Sequence, residues 1–312
     1  MIPFITEAPA AEPAEPADGA KRFHIWTVGC QMNEAESAKA AALLHEAGYV
    51  ETPHEEAADV IIVNSCVVRQ AAEDKVAGKV GSLARLKRAN PDVRIAVTGC
   101  MVTGQEHQLA ERFPHVDLFY EPSEFERLTE IAPELADIDI DLAELPHYYP
   151  EQAADRDVTA FVPIIYGCNF VCSYCIVPYR RGREVSRPMD DIVHEVERLA
   201  ARGVREVTLL GQNVNGYHGE GPDGAPTSLA GLIRQLARIE GLKRIRYTTS
   251  HPRDMSDDLI QAHADEEKLM PYLHLPFQAG GDRVVAAMKR KHTAAEYIDL
   301  IGRIREGPPD IA

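Results

Sequence analysis

Runs of apolar residues alternate with helical patterns through the first third of the chain. Near-continuous β-branched runs cover residues 23–28, 59–66 and 94–100, and a shorter run covers 116–120. Strands that are apolar on both faces and alternate with helices are typical of a parallel sheet covered on both sides. The pattern therefore predicts a small doubly wound α/β domain.

Two helices of this domain have their own sequence signals. Asn33 and Glu36 have the spacing of a helix cap and its partner, and the alanine-rich run that follows is predicted to end at Gly48. A second helical pattern covers residues 70–89. Each helix therefore follows a strand, as a βα unit requires.

A second βα series begins at Phe161 and predicts a partial (β/α) barrel, in which the loops after the strands carry the active site. The predicted strands lie near 161–166, 205–210, 243–249 and 270–275, and the predicted helices near 189–202, 228–239, 255–265 and 293–306. Four strands do not close a barrel, and the sequence stops where another strand should start. We therefore expect a fragment of a longer protein.

Composition divides the chain into four segments. Residues 1–20 are rich in Ala, Pro and Glu and are expected to form a disordered tail, because they cannot bury enough apolar surface. The predicted domains span residues 21–122 and 158–312, and residues 123–157 are predicted to be an acidic linker. Positions 121–157 hold twelve acidic and two basic residues, together with four prolines that disfavour a continuous helix.

The formal net charge of −16 argues against non-specific binding to nucleic acid. Much of that charge lies in the predicted linker, so it does not exclude a local basic surface. No run of 18 or more apolar residues occurs, and the first residues lack the basic flank of a secretory signal. We expect a cytoplasmic protein whose six cysteines bind metal rather than form disulfides.

The first candidate site is a C-x3-C-x2-C run that follows the predicted strand at 161–166. Its members, Cys168, Cys172 and Cys175, are called the loop triad below. Three thiolates at this spacing can hold one metal cluster and leave a metal position open for a substrate or cofactor. A redox dithiol at 172 and 175 is one alternative, which Cys168 and the preceding strand weaken, and a structural zinc site or a random cluster of three cysteines are others.

The second candidate site is a set of three cysteines that each follow a predicted strand of the first domain. They are Cys30, Cys66 and Cys100, called the dispersed triad below. Because ligands bind outside the carboxyl ends of parallel strands, we expect these thiols to meet at one edge of the sheet. The alternative is three apolar core cysteines.

The third candidate site is a basic segment, residues 178–188, directly after the loop triad. It contains Arg180, Arg181, Arg183 and Arg187 together with Tyr179. Arginines and an aromatic ring beside a catalytic loop can hold phosphates and stack on a base. A solvated basic loop is the alternative.

Together these features resemble the radical S-adenosylmethionine (SAM) methylthiotransferases, and within them the MiaB-type tRNA branch. The motifs that carry the resemblance are GCQMN (29–33), NSC (64–66), TGC (98–100), RGREVSR (181–187), GQNVN (211–215) and SHP (250–252). The resemblance runs from about residue 22 to the last residue. It implies an N-terminal iron-sulfur domain followed by an incomplete radical SAM domain.

The resemblance also implies an activity, the addition of a methylthio group to carbon 2 of N6-isopentenyladenosine next to the anticodon of tRNA. The loop triad would hold a [4Fe-4S] cluster that generates a radical from SAM, and Tyr174, Gln212 and Asn213 would bind this SAM. The dispersed triad would hold a second [4Fe-4S] cluster that supplies or carries sulfur, while a second SAM donates the methyl group. We expect a monomer that receives electrons from a donor such as flavodoxin or ferredoxin.

The sequence departs from the family pattern in two ways. Ala279 and Gly281 stand where the family usually has serines, and the later barrel strands and C-terminal RNA-binding domain are not in the sequence. Alternatives within the family act on a ribosomal protein aspartate or on threonylcarbamoyladenosine. An alternative of another class is an iron-sulfur scaffold that never cleaves SAM.

Overall fold

The computed structural model describes residues 19–138, 158–221, 224–307 and 311–312. In the first domain, five parallel strands form one sheet in the order β2-β1-β3-β4-β5. The strands are β1 (Arg22–Thr27), β2 (Val50–Glu51), β3 (Val60–Ser65), β4 (Arg94–Gly99) and β5 (Leu118–Phe119). All six residues of β3 are buried, as its β-branched sequence requires. The predicted doubly wound α/β class is confirmed.

Three helices connect these strands. They are α1 (Gln31–Glu46), α2 (Gln70–Ala89) and α3 (Glu106–Arg112). The predicted start of α1 at Asn33 is wrong, because Cys30 is the N-cap. Asn33 lies in the first turn, where its Oδ1 accepts a hydrogen bond from the Cys30 amide at 3.2 Å. The Asn33 side chain therefore accepts a hydrogen bond from a backbone amide that has no acceptor within the helix.

Part of the predicted linker packs against the first domain. Two short 3₁₀ helices, Phe125–Glu130 and Pro133–Asp137, bury Phe125 and Leu128 in the same core as Phe23. Glu134 accepts a hydrogen bond from the Tyr49 hydroxyl at 2.6 Å. The packed domain therefore extends beyond position 122 to Ile138. Residues 139–157, like the predicted tail over 1–18, lie outside the described part of the chain.

The second domain contains a three-stranded parallel sheet in the order β10-β9-β6 and an antiparallel pair, β7-β8. The strands are β6 (Thr159–Pro163), β7 (Ile165–Tyr166), β8 (Val185–Ser186), β9 (Glu206–Leu210) and β10 (Arg244–Thr248). The helices are α4 (Val177–Arg180), α5 (Met189–Ala201), α6 (Leu229–Ala237), α7 (Asp257–Asp265), α8 (Asp282–Ala287) and α9 (Ala294–Glu306). The alternation of strand and helix makes a partial (β/α) barrel.

The predicted strand at 270–275 is not a regular strand. Leu269 forms an isolated parallel bridge with Ile245 of β10. Further along, the Leu273 amide donates to the Ala312 carbonyl at 2.9 Å, and the Ala312 amide donates to the Pro271 carbonyl at 3.0 Å. Pro271 has no amide hydrogen to donate, which interrupts a continuous ladder. The segment nevertheless lies between β10 and the last residue, as a barrel strand would.

Among the helices that the structure describes, none combines the length and apolar character needed to cross a bilayer.

Candidate active site

The loop triad lies in the connection between β7 and β8. Gly167, which precedes Cys168, has φ of +73°, and a Cβ on it would lie 2.1 Å from the Arg183 carbonyl oxygen. Only glycine fits this turn. The Gly167 amide donates to Gln212 Oε1 at 2.7 Å, and the Cys168 amide donates to the Gly182 carbonyl at 3.1 Å. The two ends of the loop are thus held together.

The middle of the same loop is anchored to the end of α8. The Ser173 amide donates to the Met288 carbonyl at 3.1 Å, and its Oγ donates to the Ala287 carbonyl at 3.0 Å. These acceptors lie at the end of α8. The loop triad is therefore fixed from both flanks rather than free on the surface.

All three thiols of the loop triad open onto one cavity of about 600 Å³, which also receives Cys30 from the first domain. A cavity of this size holds a ligand as large as a nucleoside derivative. The second domain also contributes Gln212, Asn213 and Tyr174 to the wall. The structure therefore brings one cysteine of the dispersed triad to the loop triad across the domain boundary.

Two thiols of the loop triad have raised pKa values, so a bound metal would be needed to stabilise their thiolate forms. Burial raises the pKa of Cys168 to about 11 and raises the pKa of Cys175, so both thiols stay protonated unless a cation stabilises the thiolates. A metal cluster supplies that stabilisation and releases the protons. No group of three His, Cys, Asp or Glu residues in the described ranges is arranged to hold a single metal ion. Clustered thiols that line one cavity fit a metal cluster, and the role of the loop triad as its ligand set stays a prediction.

The dispersed triad lies at the carboxyl edge of the first sheet, after its neighbouring strands β1, β3 and β4. Hydrogen bonds join the three loops. Asn33 Nδ2 donates to the Ser65 carbonyl at 3.0 Å, and the same carbonyl accepts from the Cys100 amide at 2.9 Å. Cys66 and Cys100 are 7% and 5% exposed, whereas Cys30 is exposed. The set fits a cluster that is reached from the cavity side, although its role as a ligand set stays a prediction.

The basic segment does not form the exposed phosphate-binding surface that the sequence predicts. Arg181 pairs with Glu36 at 2.5 Å, and Arg187 pairs with Glu195 at 2.8 Å, with all four side chains 10% exposed or less. These two arginines are charged partners of buried carboxylates, and their contact with substrate stays a prediction.

The other two arginines of the segment remain accessible. Arg183 is exposed, and Arg180 is half-buried with its Nη1 3.4 Å from the Thr103 carbonyl. Tyr179 is 74% exposed. These residues keep the predicted substrate-binding role as a hypothesis.

The residues predicted to bind SAM all line the cavity. Asn213 Nδ2 donates to Glu184 Oε1 at 2.9 Å and to Asp254 Oδ2 at 2.6 Å, while its buried Oδ1 has no hydrogen-bond partner among the described residues. Tyr174 is half exposed, with its hydroxyl 3.5 Å from Arg290 Nη1. A buried acceptor without a partner is a position where a ligand donor can bind.

Sequence analysis missed an aromatic pair in the wall of the cavity. The Phe170 ring stacks on His251 with centroids 3.8 Å apart and planes at 9°. Burial and the nearby Arg290 lower the pKa of His251 to about 3, so its imidazole is neutral, and its Nε2 has no partner in the described structure. The SHP motif singled out His251 without indicating this stacking.

Arg290 was also missed, because the run 289–291 has the composition of a solvated surface. It is 8% exposed, and its Nη2 donates to the Pro276 carbonyl at 2.7 Å. Ala279 and Gly281, the two departures from the family pattern, are not among the residues that line the cavity.

Two family models match the chain, one for each domain. Residues 22–121 match the uncharacterized protein family UPF0004, and residues 162–307 match the Radical SAM superfamily. The fold and the cysteine-lined cavity therefore define a radical SAM enzyme with an additional N-terminal α/β domain. Membership of the superfamily implies SAM and a [4Fe-4S] cluster as cofactors.

Curated relatives identify the family more closely. The tRNA-2-methylthio-N(6)-dimethylallyladenosine synthase of Paracoccus denitrificans is 46% identical over 96% of this chain and 68% of its own length. The proteins of the same name from Ruegeria pomeroyi and Cereibacter sphaeroides are 49% and 47% identical, over 93% and 94% of this chain and 68% and 67% of their own. The chain belongs to the tRNA-2-methylthio-N(6)-dimethylallyladenosine synthase family.

Solved structures support the two-domain fold. The radical SAM methyltransferase TsrM from Kitasatospora setae, with tryptophan and a SAM analog bound, has a TM-score of 0.61 at 12% identity over 92% of this chain and 66% of its own. The cobalamin-dependent SAM radical enzyme OxsB has a TM-score of 0.58 at 10% identity over 92% of this chain and 48% of its own. At these identities the likeness concerns the fold alone.

Proposed function

We propose that this chain is the catalytic part of a cytoplasmic enzyme that methylthiolates carbon 2 of N6-isopentenyladenosine next to the anticodon of tRNA. The observation that carries the proposal is a single cavity that receives cysteines from both domains. Family membership gives the substrate class, because the relatives named above are tRNA-2-methylthio-N(6)-dimethylallyladenosine synthases. One SAM serves radical generation and another donates the methyl group.

In this proposal the loop triad would hold the first [4Fe-4S] cluster, and SAM would bind beside it in the same cavity. Cluster and SAM together supply the radical chemistry that an unactivated aromatic C–H bond requires. The chain supplies orientation, since the Gly167 turn and the Ser173 anchors hold the loop rigidly. It also supplies a water-poor wall, since Phe170 and His251 close one side of the cavity.

Asn213 and Tyr174 are proposed to bind SAM directly. The free, buried Oδ1 of Asn213 accepts a hydrogen bond from a donor such as an amino or hydroxyl group. Tyr174, half exposed at the cavity wall, offers an aromatic face to the adenine. Gln212 acts indirectly, because its Oε1 already accepts from the Gly167 amide.

The dispersed triad would hold a second [4Fe-4S] cluster in this proposal, and its Cys30 lines the same cavity as the loop triad. Such a cluster would supply or carry the sulfur. Arg180, Arg183 and the exposed Tyr179 are proposed to contact tRNA next to the loop triad. We further propose a monomer that is reduced by flavodoxin or ferredoxin.

Nucleoside analysis of tRNA tests the substrate. A strain that lacks the gene should lose the 2-methylthio nucleoside and accumulate N6-isopentenyladenosine, and the intact gene should reverse both changes. A gene copy with the loop triad changed to alanine is the matched control and should not restore the product. Persistence of the methylthio nucleoside in the deletion strain would contradict the assignment.

The same strains and a reconstitution assay separate the alternatives. If, in the deletion strain, a ribosomal protein aspartate or threonylcarbamoyladenosine loses its methylthio group while isopentenyladenosine keeps its own, the chain would be assigned to a sister branch of the family. Anaerobically reconstituted protein that binds iron and sulfide without converting SAM to 5′-deoxyadenosine would indicate a scaffold.

A further inference from the structure

Arg181 crosses from the second domain into the first. It directly follows α4, yet its side chain is only 8% exposed and reaches α1 and the end of β4. Its Nη1 donates to Glu36 Oε1 at 2.5 Å, and its Nε donates to the Sγ of Cys100 at 3.1 Å. One guanidinium therefore contacts a buried carboxylate and a cysteine of the dispersed triad.

The neighbouring main chain contacts the loop triad. The carbonyl of Gly182 accepts the Cys168 amide at 3.1 Å, and the Arg181 amide donates to Val177 at 2.7 Å. Two consecutive residues thus contact one cysteine of each triad. Any displacement of this segment moves both ligand sets together.

The contact has a direct electrostatic effect on the sulfur. A guanidinium that donates to a thiolate in a buried site stabilises negative charge more strongly than it would in water. Hydrogen bonds to ligand sulfurs are a means by which proteins set the potentials of iron-sulfur clusters. Glu36, 5% exposed, holds the planar group in place so that its Nε faces Cys100.

We propose that Arg181 is a positioning residue of the dispersed triad, which orients the Cys100 thiolate at the carboxyl edge of the first sheet and favours the more negative, reduced form of the cluster held there. This inference rests on the second cluster of the proposed function. The alternative is that Arg181 and Glu36 form an ion pair that only joins the two domains.

The experiment uses the full chain with the loop triad changed to alanine, so that spectroscopy observes the dispersed triad alone. An EPR-monitored redox titration compares this background with Arg181→Gln, Arg181→Lys and Arg180→Gln added to it. Arg180 is the matched control, because it is the adjacent arginine and its hydrogen bond goes to the Thr103 carbonyl rather than to a cysteine.

At a fixed applied potential, Arg181→Gln should lower the ratio of reduced to oxidised cluster about tenfold, equivalent to ~59 mV for a one-electron couple. Arg181→Lys should give a smaller decrease, and Arg180→Gln no change. If Arg181→Gln instead loses the iron, the potential of Arg181→Lys decides: a decrease with Arg180→Gln unchanged supports the proposal, and an unchanged potential or loss of iron from Arg180→Gln as well overturns it.

Unchanged potential at unchanged iron content in Arg181→Gln would show an ion pair that only joins the domains. Absence of iron from the parent background would instead contradict the second cluster of the proposed function, and this inference with it.

Discussion

The two cysteine triads reach one cavity by different structural means. The loop triad lies within eight consecutive residues of a single connection, whose ends are joined by the Gly167 turn. The dispersed triad comes from three strand ends, joined through the Ser65 carbonyl. The geometry of the first set depends on one connection and its two anchors, whereas the geometry of the second depends on the register of a whole sheet.

Their surroundings differ as well. All three loop-triad cysteines line the cavity, with Cys168 and Cys175 half-buried and Cys172 buried, whereas of the dispersed triad only the exposed Cys30 lines it and the other two cysteines are buried. A small cofactor therefore approaches the loop triad directly. A centre on the dispersed triad is approached from the Cys30 side.

Removing the loop triad should have the largest effect. With Cys168, Cys172 and Cys175 changed to alanine, conversion of SAM to 5′-deoxyadenosine should fall to background, because the radical chemistry depends on the cofactor held there. Chromatography of reactions of the anaerobically reconstituted enzyme with SAM and dithionite measures this conversion. Substantial 5′-deoxyadenosine from this variant would contradict the assignment of the loop triad.

Removing the dispersed triad should abolish methylthiolation while the cleavage of SAM at the loop triad continues. With Cys30, Cys66 and Cys100 changed to alanine, 5′-deoxyadenosine should still form, while no 2-methylthio nucleoside appears in tRNA. Mass spectrometry of both products from one reaction gives the comparison. If methylthiolated product still formed, the three thiols would be core residues of the first domain.

The buried ion pair between Arg187 and Glu195 should be important for stability. Arg187→Ala leaves Glu195 buried without this charged partner, and we expect the free energy of unfolding to fall by about 3–5 kcal/mol. Urea denaturation measures the change, and the exposed Arg183→Ala is the control, with an expected effect within about 0.5 kcal/mol. Equal effects of the two substitutions would show that the buried pair has no special role.

Replacing Asn33, whose side chain joins two loops of the dispersed triad, should lower the free energy of unfolding by a smaller amount. Asn33→Ala removes donors to the Ser65 carbonyl and Asn64 Oδ1, and should lower the free energy of unfolding by about 1–3 kcal/mol. The exposed Gln31→Ala, in the same helical turn, is the control. Denaturation midpoints at constant m-value provide the measurement, and unchanged stability would mean that the strand register alone holds the three loops.

The last prediction concerns the pH dependence of stability at His251, whose ring stacks on Phe170 of the loop-triad connection. Its pKa of about 3 in the folded chain is below the ordinary value of about 6.5, so at pH values between these the unfolded state binds a proton that the folded state does not. The stabilisation that comes from keeping His251 neutral in the folded state is fully present above pH 6.5 and is lost as the pH falls toward 3. His251→Gln should reduce the pH slope of the unfolding free energy in that window by at most ~1.4 kcal/mol per pH unit. Identical slopes would contradict a neutral, buried imidazole.

Elements with regular patterns were predictable from sequence alone. The helical spacing over 70–89 corresponds to α2, and the β-branched runs correspond to β1, β3 and β4, because burial on both faces leaves a continuous apolar pattern. The edge shared by the dispersed triad followed from the parallel topology. The pairs β7-β8 and Leu269-Ile245 were not predicted, because such short pairings are determined by tertiary contacts.

The partners of the buried charges could not be found in the sequence. Arg181 and Glu36 are 145 positions apart, and only the packing of the two domains brings them together. A basic segment has the same sequence pattern whether its arginines face RNA or buried carboxylates. The two cases differ only in whether the fold brings buried carboxylates into contact with the arginines.

Iron and sulfide content of the anaerobically reconstituted chain tests most directly the claim that two separate triads each hold a cluster. The account predicts about eight irons per chain for the unaltered protein and about four for each triple alanine variant, since each [4Fe-4S] cluster contains four irons. An unaltered iron content after replacement of Cys30, Cys66 and Cys100 would contradict it.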